Sequence, residues 1–375
     1  MTRSIGIVGG GIVGSTAAYY LSRAGYSVKL YDEGTGQASK TAAGIICPWL
    51  SLRRNKPWYY LVSQGAEFYR KLMKDLRHDG YQDEEIFQVC GAIMIRKNSK
   101  RIQTDIQQAE LKRINSPSMG SVYPLSPQEI HQRFPLIQSD HGGTWVEGGG
   151  RVKGDLLVQT LQDAAQKFNC QLMREKVALK STDKEQVLVQ SHNQDYHHDY
   201  ILLAAGAWLP QLLEPLGYQV DIQPQKGQLY TLKDPAWKEN PWPVIIPFGQ
   251  GDIIPFSDGS LVIGSTHEDG ENYDLTINLS ALAELKSQAD HWLPTLKDVA
   301  FDSIRLGTRA QTSDFGVLVG QVPKLDRVWA ISGLGSSGLT SGPYLGYQWS
   351  QAIIHNSWTL SNNDYPIQKY IQPFK

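Results

Sequence analysis

Gly9, Gly11 and Gly14 stand at G-x-G-x-x-G spacing near the start of the chain, and an acid, Asp32, follows. Residues of these types, with the acid about 20 positions on, hold the phosphates and ribose of a dinucleotide. Gly9 permits a tight turn, Gly11 lets the backbone approach a pyrophosphate, and Gly14 lets a helix pack closely. Asp32 would bind ribose hydroxyls and repel a 2′-phosphate. The pattern does not separate FAD from NAD.

The surrounding residues supply the elements that such chemistry requires. An apolar strand at 4–8 runs into the glycines, a helix follows from 15 to about 24, and a second strand at 27–31 ends at Asp32. This βαβ order aims the helix N-terminus, with its free N–H groups and positive dipole end, at the phosphates. The segment 33–44 is rich in small residues and suits close approach of a bulky ligand. Apolar spacing predicts helices over 58–79, 99–114, 154–168, 279–293 and 340–354. Strands are predicted at 89–95, 171–177 and 186–190, the last two flanking a polar turn at 181–184. The run 200–208 is a continuous apolar strand, as in a parallel sheet buried on both faces. Residues 220–268 alternate short strands with Pro and Gly turns, as an antiparallel sheet does. The strand 328–332 enters a glycine-rich turn at 333–338.

Nucleotide-domain elements thus occur at both ends and in the middle. The expected fold is α/β, a doubly wound Rossmann-type domain with an inserted antiparallel substrate domain. Residues 1–85, 145–220 and 305–375 form the first part, and 86–144 and 221–304 the second. A length of 375 residues accommodates two such domains.

Net charge is −1 and 19% of residues are charged, which removes a general case for nucleic-acid or anionic-membrane partners. No run approaches the roughly 18 apolar residues of a membrane span. Cys47, Cys90 and Cys170 form no C-x-x-C pair, so neither a metal site nor a disulfide framework is indicated. A reducing cytoplasm is the expected location. The apolar stretch after Arg3 carries the glycine fingerprint and reads as the nucleotide strand rather than a secretion signal.

Several motifs then point to one family. ASKTAAG, 38–44, is similar to the A-S-x-x-N-A-G loop of the D-amino-acid oxidase family of FAD-dependent amine oxidoreductases, with Ala42 where Asn is usual. AAGAW at 204–208, QKGQ at 225–228 (the family's R-G-Q turn) and IGST at 263–266 also resemble family segments. GTR at 307–309 with SDFGVLVG at 313–320 resembles the family's G-x-R…D-G-x-P-x-x-G stretch. GLGSSGLTSGP, 333–343, resembles its flavin-ring loop, as written in the glycine oxidase and D-amino-acid dehydrogenase-like branch.

The resemblance implies noncovalent FAD. It assigns the nucleotide half to Gly9, Gly11, Ile12, Val13, Gly14, Asp32 and Glu33, with Val177, Ala205, Gly206 and Trp208 beside it. It assigns the flavin half to Ala38, Ser39, Thr41, Ala43, Gly44 and Ile45, to Gly307 and Arg309, and to Gly335, Ser336, Ser337, Gly338, Leu339 and Thr340. Backbone N–H groups of 335–339 would stabilise charge on a reduced flavin. The implied reaction is oxidation of the C–N bond of an amino acid or secondary amine by hydride transfer to flavin N5. A D-amino acid, glycine or N-methyl amino acid would be the substrate, and oxygen or a quinone the electron acceptor. Arg309 matches the family's carboxylate clamp, a role suited to a planar guanidinium. Arg305 would share its strand face, and His267 and Arg53 are further substrate-side candidates. Asp252-Ile253-Ile254 replaces a stretch where many relatives have a substrate-binding tyrosine, and Val262 replaces the oxygen-activating lysine of sarcosine oxidases. Two other readings stay open: an NAD-dependent dehydrogenase, and an FAD-binding protein without turnover.

Overall fold

Ser4–Val8 is apolar after its first residue because it lies near the middle of a sheet covered on both faces. A computed structural model describes residues 3–82, 84–182, 186–249 and 251–374; Asp183 and Lys184 of the expected polar turn lie outside these. The sheet runs in the order Gln171–Met173, Ser27–Tyr31, Ser4–Val8, Tyr200–Leu203, Val328–Ser332, Leu318–Gln321. Its first five strands are parallel and the last is an antiparallel edge. Side chains alternate between the faces. Ile5, Ile7 and Leu202 face a helical layer made of Ile12–Arg23, Lys56–His78, Gly154–Lys167 and Gly338–His355. Val8, Ile201 and Leu203 face the other way. There the cover is a three-stranded antiparallel sheet, Ala178–Ser181, Val187–Ser191 and Gln194–His197, rather than more helices. Its alternating buried residues, Val187, Val189 and Ser191, are those of a strand with one wet face.

The second unit is an eight-stranded sheet. Its order is Ser303–Gln311, Gln223–Lys233, Ser260–Gly264, Asp252–Pro255, Val244–Ile246, Ala92–Ile95, Gly143–Val146, Val122–Leu125. All neighbours are antiparallel except Val244–Ile246 with Ala92–Ile95. The helix Leu279–Trp292 covers one face through Leu282, Leu285, Ala289 and Trp292, packed on Tyr230, Ile253 and Ile263. The expected domain cuts at 144/145 and 304/305 fall inside the strands Gly143–Val146 and Ser303–Gln311. QKGQ, expected at a turn, lies within the long strand Gln223–Lys233.

The two sheets meet at the loop carrying ASKTAAG. Thr308 N–H donates to Gly36 O at 3.0 Å. Ala38–Thr41 forms one helical turn against Gly307, where a Cβ would stand 2.2 Å from Thr41 Oγ1. This junction brings the glycine fingerprint and the Arg309 strand to one place.

Candidate active site

Two adjoining cavities lie along the junction, of about 380 and about 500 Å³, and share Ala38, Ser39, Gly335 and Gly338. The first is the nucleotide half. Gly9, Gly11, Ile12 and Val13 line it, with Asp32 and Glu33 at the end of the second strand. Val177, Ala205, Gly206 and Trp208 line it from across the sheet. Gly9 adopts φ +107°, and a Cβ there would stand 2.3 Å from Ala204 O. The helix Ile12–Arg23 begins at Gly11 without a side-chain cap on Gly11 itself. Ser39 Oγ instead accepts from Ile12 N–H at 3.0 Å, and the helix end is left open to an anion. Gly14 does not line the cavity. A Cβ there would sit 1.9 Å from Gly9 O, so this glycine serves the close packing of helix on turn.

The strand Ser303–Gln311 separates the halves. Thr308 and Ala310 face the first cavity, while Gly307 and Arg309 face the second. The second cavity is also lined by Thr41, Ala43, Gly44 and Ile45, and by Ser336, Ser337, Leu339 and Thr340 at the start of the helix Gly338–His355.

Arg309 reaches across the sheet rather than along its own strand. Its guanidinium lies over Gly227, where a Cβ would be 2.5 Å from both terminal nitrogens. Nη1 donates to Thr266 O at 3.0 Å and to Gln225 Oε1 at 3.3 Å, and Nη2 donates to Ser265 Oγ. These acceptors are all neutral, and no carboxylate pairs with Arg309 among the described residues. Glu268 favours its charge but is itself engaged by Gln228, Thr266 and Asn278. Burial lowers the pKa of Arg309 to about 10, which leaves it cationic at neutral pH. A half-buried cation held by dipoles alone is a ready receptor for an anionic ligand.

His267 and Arg53 also line the second cavity. Desolvation, then Arg309, lowers the pKa of His267, favouring its neutral form. Arg53 lies over the Trp58 ring at 4.6 Å and donates to Phe315 O, while Trp58 Nε1 donates to Ser337 Oγ at 3.1 Å. Arg305 shares the strand phase of Arg309 but lines neither cavity; it pairs across from Leu229, two steps further along the sheet. Cys47 borders the second cavity, with its thiol pushed up to about 12 by burial. Trp58, Ser265 and Asp252 had no assigned role in the sequence. Asp252 carried one signal, its place in the stretch 252–254 that departs from the family's pattern.

The model of the DAO family of FAD-dependent oxidoreductases matches residues 4–351. The chain belongs to that family. It is 33% identical to the uncharacterised oxidoreductase YurR of Bacillus subtilis (strain 168), over 96% of this chain and 97% of that one. It is 27% identical to a glycine oxidase of Pseudomonas aeruginosa, over 92% of each chain. The crystal structure of iminodiacetate oxidase (IdaA) from Chelativorans sp. BNC1 superposes with a TM-score of 0.91. That pair is 29% identical, covering 96% of this chain and 98% of the other.

The protein is therefore an FAD-dependent oxidoreductase of amino-acid or amine substrates. The two cavities fit a ligand with a diphosphate half and a ring half. Gly9, Gly11 and the start of the helix Ile12–Arg23 form the cradle of the first. No helix among the described residues is long and apolar enough to cross a membrane.

Proposed function

We propose that the protein oxidises the C–N bond of a small amino acid, of the glycine, N-methyl or D-amino acid type. The observation that supports this is Arg309, a half-buried guanidinium facing the second cavity, with no carboxylate paired to it among the described residues. A substrate carboxylate would supply the missing counter-charge by two parallel hydrogen bonds. That contact fixes the substrate Cα against the ring half of the cofactor site, and such orientation carries most of the catalysis that hydride transfer needs. FAD, which Gly9, Gly11 and the segment 335–340 would hold, would supply the acceptor for the hydride that leaves Cα. The substrate nitrogen loses a proton as the C=N bond forms, and water converts the imine to an oxo acid and an amine. Oxygen or a quinone then takes the electrons; the buried, uncharged Val262 offers no cation for oxygen activation at that position.

The test is anaerobic mixing of the FAD-loaded protein with glycine, N-methyl amino acids and D-amino acids, followed by the flavin absorption band. One class should bleach the band. Arg309→Ala should lower the second-order bleaching rate by about 10²-fold or more, the scale of a lost orienting contact. A flavin band that none of these substrates bleaches would overturn the reading.

A further inference from the structure

Asp252 is the one carboxylate that lines the second cavity among the described residues. Its strand, Asp252–Pro255, alternates faces. Ile253 points into the core under the helix Leu279–Trp292. Asp252 and Ile254 point the other way, towards the face that also presents Arg309. Across the ladder Asp252 pairs with Gly264, which pairs in turn with Leu229. Gly264 adds no side chain of its own to this wall; a Cβ there would stand 2.5 Å from Leu229 Cβ. Gly251 precedes it with φ +89°, so the chain turns into the strand at the cavity wall.

The sheet fixes the relation between Asp252 and Arg309. The guanidinium sits over Gly227, on the strand Gln223–Lys233. Ser260–Gly264 comes next, and the strand of Asp252 follows. The two charges thus stand on strands two spacings apart and, because Gly264 is opposite Leu229 rather than Gly227, two residues apart along the strands, about 12 Å between backbones. Both side chains line the one cavity that spans this gap, where a small amino acid could meet a hydrogen-bonding group at each end. The other ionisable groups lining the cavity are Cys47, Arg53, His267 and Arg309. None of them forms a hydrogen bond or ion pair with Asp252 among the described residues, in contrast to Asp258 six residues on, which accepts from Ser260 and Lys153. Burial without a partner pushes the Asp252 carboxyl up to about 7. A cationic or N–H-bearing ligand would relieve this desolvation.

We propose that Asp252 is the receptor for the substrate nitrogen, accepting a hydrogen bond from its N–H and so selecting amino acids over other small carboxylates. The proposal rests on the Arg309 reading above. Together the two residues make a dipolar slot whose carboxylate end and amine end come from different strands of one sheet.

The test separates the two claims. Two probes of equal shape are 2-aminoisobutyrate and 2,2-dimethylpropanoate, in which a methyl replaces the amine. Neither carries a hydrogen on Cα, so neither can reduce the flavin. Each is titrated into FAD-loaded protein, and the shift of the flavin band gives Kd. The wild type should prefer the amine probe. Asp252→Asn should reduce that preference about ten-fold or more, as expected for loss of a charge-assisted hydrogen bond. It should leave Kd for 2,2-dimethylpropanoate within about two-fold, which also shows an intact fold. Asp252→Glu should restore part of the preference. Arg309→Ala should weaken both probes alike. An unchanged preference in Asp252→Asn, with dimethylpropanoate binding still dependent on Arg309, overturns the Asp252 proposal alone. Binding of both probes that ignores Arg309, or no binding of either, overturns the carboxylate reading and this one with it.

Discussion

Asp32 shows how much one side chain at a strand end controls. Gln37 Nε2 donates to it, Gly34 N–H donates to it at 3.3 Å, and Arg174 lies 3.9 Å away. The carboxylate is thereby held at the mouth of the nucleotide cavity before any ribose arrives. Asp32→Ala should weaken FAD binding by about ten-fold or more, the cost of a lost charged hydrogen bond. Titration of the apo-protein with FAD, read by flavin fluorescence, checks this; equal affinity would remove Asp32 from the cofactor site. Asp32 was legible in the sequence because fingerprint, helix and acid are contiguous and their spacing is imposed by one βαβ unit. Arg309 was legible only through the motif around it. Asp252 was not: its meaning depends on Gly264, Gly227 and Arg309, brought beside it by sheet pairing across many residues. Trp58 was hidden for the same reason, since Ser337 and Arg53 come from other segments.

At the scale of elements, the long helices were legible to within a few residues. Their apolar stripes are strong, and local caps fix their starts. Asn55 accepts from Trp58 N–H at 2.9 Å where the helix Lys56–His78 begins, and Asn278 accepts from Ala281 N–H at 3.2 Å where Leu279–Trp292 begins. Other features were less visible, because a tight contact between helices leaves only small residues as its trace. Gly346 on the helix Gly338–His355 lies against Ile12–Arg23, where a Cβ would stand 2.4 Å from Val13 O. Gly65 on Lys56–His78 lies as close to Thr340 O, at 2.0 Å. These contacts seat the C-terminal helix so that its first turn reaches both cavities. Gly346→Ala must push two helix backbones apart and should cost about 1–3 kcal/mol, a drop of several degrees in Tm. Thermal melts of the FAD-loaded protein check it; an unchanged melting temperature would mean that the helices do not depend on this contact.

The whole molecule depends on its layers staying together, and one histidine joins two of them. His198, just after the strand Gln194–His197, is buried beneath the parallel sheet. Its Nε2 pairs with Tyr31 OH at 3.0 Å and its Nδ1 with Ser4 Oγ at 2.9 Å. Gly6 makes room for it: a Cβ there would stand 2.5 Å from the imidazole. Burial, reinforced by Lys29 and His197, lowers its pKa to about 4. The unfolded chain therefore binds this proton more readily than the native one between pH 6.5 and 4. The stability that neutral His198 contributes is complete above about pH 6.5 and is lost as pH falls towards 4, by about 3 kcal/mol at most. Urea unfolding at a series of pH values should show a flatter acid limb in His198→Phe than in the wild type. Parallel curves would place the titration elsewhere. The three-stranded cover that holds His198 was not legible as a layer, because strand patterns name an exposed face without naming the surface that the other face meets.

The strand Ser303–Gln311 is only nine residues long, yet its alternate positions look into different compartments. Thr308 and Ala310 belong to the nucleotide side, Gly307 and Arg309 to the side where a substrate would sit. Even-numbered positions here thus answer to the nucleotide and odd-numbered ones to the substrate side, where Gly307 has no room for a side chain and Arg309 supplies the cation. An insertion or deletion of one residue would exchange the two sets and disable both.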